Sequence, residues 1–65
     1  MNQDAFEIQM REHNRCVLRR DNQDWEREFS HVQEALDFAS RLPGGRDARL
    51  TVYDEKGVRF MQVVL

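Results

Sequence analysis

Leu50-Thr51-Val52-Tyr53-Asp54-Glu55-Lys56-Gly57-Val58-Arg59-Phe60-Met61-Gln62-Val63-Val64-Leu65 is the stretch on which the fold of this 65-residue chain turns. Two β-prone runs flank a break that opens on Asp and closes on Gly. Asp at the first corner and Gly at the fourth suit a type I turn followed by a left-handed residue, the combination that makes a G1 bulge. That turn predicts Asp54 paired with Val58, Tyr53 opposite Arg59 and Val52 opposite Phe60. A two-residue turn at Lys56-Gly57 would instead set Val52 opposite Met61. Because side chains alternate with period two, the change exchanges the faces of the last strand. Under the first register Val52, Phe60 and Val64 point one way, while Thr51, Tyr53, Met61, Val63 and Leu65 point the other.

Upstream, Pro43-Gly44-Gly45 cannot continue a helix, and the pattern before it is helical. Val32, Ala35, Leu36, Ala39 and Leu42 recur at the spacing of one helix face, with Gln33, Glu34, Asp37, Ser40 and Arg41 mostly away from it. Ser30 is placed to accept from the Gln33 backbone N–H while Gln33 reaches back, a capping box with Phe29 as its staple. The helix is therefore expected from about His31 to Leu42. Phe38 projects off the stripe, toward the sheet edge or a neighbouring subunit.

At the other end Phe6, Ile8 and Met10 alternate with Glu7, Gln9 and Arg11, the signature of a strand with one buried face. Glu12-His13-Asn14 breaks the alternation, and Asn14 tolerates the positive φ of a hairpin turn. Arg15 to Arg20 form a second strand with Cys16 and Leu18 on one side and Arg15, Val17 and Arg19 on the other. Asp21-Asn22-Gln23-Asp24 reads as a turn, and Trp25 to Phe29 as a short third strand. Arg27 shares the side of Trp25 and Phe29, which requires its stem buried and its head in water. Residues 1–5 read as a disordered tail and 6–65 as one α+β domain. Its architecture is an antiparallel sheet of four to five strands packed on one face by a single helix, in the order βββαββ.

Phe29-Ser30 through Glu34-Ala35 to Leu42-Pro43-Gly44-Gly45, followed by Leu50-Thr51-Val52-Tyr53-Asp54-Glu55-Lys56-Gly57, resembles small bacterial domains of unknown function with a hairpin, helix, hairpin layout. The likeness covers residues 6 to 65 in pattern. What it implies is the fold, since those domains supply no catalytic residues to carry over. The extra strand at Trp25 to Phe29 departs from their simplest form.

Composition narrows the function. A chain that is 40% hydrophobic and 34% charged is an ordinary folded one, and no window approaches the roughly 20 apolar residues of a membrane span. Met1-Asn2-Gln3-Asp4 has neither the basic nor the apolar run of a signal peptide, so a cytoplasmic location is expected. Cys16 is the only cysteine, which excludes an internal disulfide. His13-x-x-Cys16 and His31 sit in no nucleophile elbow, and a zinc site built from them would need three elements to converge. Cys16 reads as a small core residue on its strand. Pro43-Gly44-Gly45 lacks the Lys-Ser/Thr of a phosphate loop, and Glu26 and Glu28 have no apolar pocket to raise a pKa. No enzyme activity, metal or cofactor is expected.

A net charge of −2 is wrong for a dedicated nucleic-acid binder, yet it is unevenly spread. Residues 11–20 hold four arginines against one glutamate, and residues 21–40 hold six acids against one arginine. Pairing of these charges across neighbouring strands is the simplest expectation. The preferred register leaves Val17, Tyr53, Met61, Val63 and Leu65 on the sheet face the helix does not cover. An apolar set of that size predicts a cover, and a second copy of the chain is the simplest one, joined through the open face or the C-terminal strand. Another protein is the general form of that partner. The competing expectation is a weak single-stranded nucleic-acid or anionic-ligand binder, with Arg11, Arg15, Arg19 and Arg59 arranged around Tyr53.

Overall fold

The computed structural model describes residues 5–21 and 23–65, with the backbone alone at Phe60. In chain order the elements are β1 (Ala5–Met10), a 3-10 turn at Glu12–Asn14, β2 (Cys16–Arg20), β3 (Glu26–Phe29), α1 (Val32–Arg41), β4 (Arg49–Tyr53) and β5 (Arg59–Val64). The fold is α+β, with one helix against a five-stranded sheet in the spatial order β3-β2-β1-β4-β5. Residues 1–4 of the expected tail lie outside the described residues, whereas Ala5 is already part of β1, paired with Arg49.

The sheet is mixed, which corrects the antiparallel expectation. Three neighbouring pairs are antiparallel, but β1 and β4 run parallel at the centre, Ile8 beside Val52. The cause is the helix. A chain leaving β3 through a helix is carried back along the sheet, so the next strand runs in the direction of β3, and a parallel neighbour needs a crossover of that kind. Since β1 runs the same way as β3, β4 joins β1 in parallel.

Phe6, Ile8, Cys16, Leu18, Leu50 and Val52 are the large side chains buried to below 2% exposure, and Ala35 and Ala39 of α1 lie against them. The alternation of β1 and β2 thus translates directly into one inward face. The helix makes its principal contacts with β1, β2 and β3, and so lies over one side of the sheet, away from β5.

One local expectation changes. The helix opens at Val32 with His31 as its N-cap, and no side chain caps it, so Ser30 does not build the capping box. Phe38 covers the edge of the sheet at β3, one of the two places expected of it. Its ring packs 5.4 Å from that of Phe29, and the Arg27 guanidinium lies over it at 4.7 Å. The aromatic face of Phe38 thereby accommodates the one cation on the inward side of β3.

Candidate functional site

The β4–β5 hairpin is where the surface of the molecule is set. Its turn forms as the sequence predicts. The Asp54 N–H donates to Val58 O at 2.9 Å, the Gly57 N–H donates to Asp54 O at 2.9 Å, and Gly57 takes φ 82°. Asp54 Oδ1 accepts from the Lys56 and Val58 N–H groups at 2.9 and 2.8 Å. Gln9 on β1 anchors the turn by donating from Nε2 to Asp54 O at 2.6 Å. Tyr53 lies opposite Arg59 as expected.

One residue further on the ladder slips. Val52 faces Met61, and Phe60 is the extra residue of a bulge between the Tyr53 and Val52 pairs. From there on Leu50 pairs with Val63, Thr51 with Gln62 and Arg49 with Val64. Since Leu50 and Val52 are fully buried on the helix side, Met61 and Val63 share that side, and Val64 lies on the opposite one. The expected placement of Met61, Val63 and Val64 is therefore reversed.

The candidate interaction face dissolves accordingly. Val17 is on the outer face but only 8% exposed, flanked by Gln9 and Glu28. Tyr53 stays on that face, half-buried. Val63 and Leu65 pack against the core cluster. Around Val17 and Tyr53 the outer face carries Glu7, Gln9, Arg19, Glu26, Glu28, Arg49, Thr51, Arg59, Gln62 and Val64. That surface is hydrophilic and suited to solvent.

The four candidate anion-binding arginines are not gathered into one stripe. Arg15 pairs with Glu28 at 2.9 Å and Arg19 with Glu26 at 2.8 Å, the cross-strand pairing the charge distribution predicts. Arg59 is on β5, three strand positions from β2, or roughly 14 Å at the usual strand spacing. Arg11 lies beyond the end of β1, where it lines a shallow cleft of about 600 Å³ with Met10, Glu12, His13, Arg15 and Glu55. Two acids offset its two arginines.

Cys16 is fully buried, and burial, followed by the nearby Glu34 and Glu28 carboxylates, pushes its thiol above the ordinary range. A protonated, inaccessible thiol is a poor nucleophile. His13 and His31 are both exposed. Among the described residues no three His, Cys, Asp or Glu side chains come together as a metal site, and no helix is long and apolar enough to cross a membrane.

What remains is an edge. Among the described residues the large apolar side chains left exposed are Val58 at 58%, Met61 at 37% and Val64 at 69%, all on β5 or its turn. β5 is the last strand of the sheet and carries one charge in six residues. The opposite edge, β3, is Glu-Arg-Glu-Phe, four residues long, with both glutamates held in ion pairs. Short charged strands are how proteins blunt an edge, and long apolar ones are how they leave it open. Comparison of the chain with protein-family models, curated proteins and solved structures finds no match.

Proposed function

We propose that this chain is a non-catalytic interaction module that self-associates through its C-terminal strand β5. The observation that carries the reading is the asymmetry of the two sheet edges: β3 is short and charged, whereas the exposed apolar side chains gather at β5. An open strand offers unpaired N–H and C=O groups to an added strand, which contributes main-chain hydrogen bonds while the alternate side chains supply specificity. A 65-residue chain also gains core area by doing so. The hydrophilic outer face moves the association from the open sheet surface to the strand. A cytoplasmic setting suits the lone buried thiol.

The alternative role, binding single-stranded nucleic acid or another anionic ligand, has the ion pairs of Arg15 and Arg19 and the distance to Arg59 against it. Sedimentation velocity from about 1 to 200 µM tests the proposal. The parent chain is expected to sediment as a dimer in the upper part of that range, and Val64→Pro as a monomer with unchanged far-ultraviolet circular dichroism. Val64 is 69% exposed and its N–H is directed to the open edge, so proline removes a bond of the added strand and leaves the pairing with β4. A parent chain that stays monomeric throughout overturns it.

A further inference from the structure

Resting on that reading, we infer that the partner of β5 is the β5 of a second copy, antiparallel about a two-fold axis at Val63, so that a ten-stranded sheet closes as a dimer. The backbone fixes which groups are free. The Leu65 N–H donates to Ala48 O at 2.9 Å, and Leu65 O accepts from the Asp47 N–H at 3.0 Å, so residue 65 bonds toward β4. Bonding direction alternates along a strand. Val63 therefore also bonds inward, and Gln62 and Val64 present their N–H and C=O groups to the open edge.

Two copies related by a two-fold axis can exchange bonds in three ways: Gln62 with Gln62 of the second copy, Gln62 with Val64 of the second copy, or Val64 with Val64 of the second copy. The last bonds one pair of the described residues where the second bonds two. The first draws the bulge at Phe60 into the new ladder, where a bulge terminates regular pairing. The second uses residues 61–65 alone and leaves the bulge outside. It also matches side chains. On the helix side, Val63 meets Val63 of the second copy and each Met61 meets a Leu65, an all-apolar row. The two Arg59 groups end roughly 26 Å apart along the seam, well beyond the roughly 10 Å over which exposed charges interact.

Closure follows from the other edge. Joining β5 of one copy to β3 of the next would propagate a filament, because head-to-tail contacts do not close on themselves. β3 is too short and too charged to receive β5, and its Glu26 and Glu28 already bind Arg19 and Arg15. Only the isologous contact is left. A two-fold axis perpendicular to the sheet then sets both helices on the same side.

Cysteine trapping reads the register directly. At the axis Val63→Cys forms a non-hydrogen-bonded pair, the closer kind, within reach of a disulfide, whereas Gln62→Cys lies two residues out of step with its copy. Cys16 is buried and stays silent. Under copper-phenanthroline oxidation, Val63→Cys is expected to run as a covalent dimer on a non-reducing gel and Gln62→Cys as a monomer. Cross-linking of Gln62→Cys instead, or of neither variant in samples that sediment as dimers, overturns the register and leaves self-association standing. A monomeric parent chain removes the reading on which the register rests.

Discussion

Gly45 occupies a place where a methyl group has no room. A Cβ built on it would lie 1.9 Å from Ala39 O and 3.0 Å from Leu42 O, and both are backbone atoms that cannot swing aside. Its own N–H donates to Leu42 O at 2.8 Å, and the residue is buried. The chain therefore turns back on the last turn of α1 at van der Waals distance. Gly45→Ala is expected to cost about 3 kcal/mol, the scale of an overpacked core site, and equilibrium urea denaturation would read it as a lower midpoint. A loss under about 0.5 kcal/mol would mean that the loop can move off the helix. Pro43-Gly44-Gly45 was legible as a helix stop, and Gly44 does take φ 79°. The separate duty of Gly45 was not legible, because the oxygen that forbids a side chain belongs to Ala39 and meets Gly45 only after the chain reverses. Arg27 shows the same limit: its position on the aromatic side of β3 was readable, but its stacking on Phe38 depends on where α1 settles.

Between β4 and β5 the turn and the ladder obey different rules. The turn is local, since Asp54 Oδ1 accepts two backbone N–H groups and Gly57 supplies the positive φ. Asp54→Ala is expected to destabilise the chain by about 1–2 kcal/mol through the lost acceptor. Gly57→Ala should cost about 1 kcal/mol from backbone strain alone, because nothing lies within 4 Å of the added carbon. Denaturant midpoints of the two variants check the pair, and an Asp54→Ala midpoint equal to the parent's would contradict the assigned turn. Such chemistry is written in the sequence and was read from it. The bulge was not. Met61, Val63 and Val64 are apolar on successive sides of β5, so alternation could not say which side faces the core, and a one-residue slip left the pattern equally satisfied. The parallel pairing of β1 with β4 was hidden for a related reason, because it depends on how far the α1 crossover carries the chain. The strands, the helix and the inward residues of β1 and β2 came through, since each rests on periodicity within one element.

In the whole molecule an off-centre helix and unequal edges leave β5 as the open side, and the proposed dimer would tie stability to concentration. If β5 closes on a second copy, unfolding separates two chains, and mass action raises the melting temperature with protein concentration. Each tenfold rise shifts the dimer equilibrium by about 1.4 kcal/mol, half of it per chain, which for a domain of this size corresponds to about 3–5 °C. The same seam predicts the response to salt. Its facing residues are Met61, Val63 and Leu65, no ion pair crosses it, and the nearest like charges are held apart, so screening has little to remove. Melting curves from micromolar to near-millimolar protein should therefore move upward by the same amount in 50 mM and in 1 M sodium chloride. Val64→Pro should flatten the dependence in both. An association held by Arg15, Arg19 or Arg59 would instead fade as salt rises, and a midpoint fixed across the whole concentration range would show that β5 stays open.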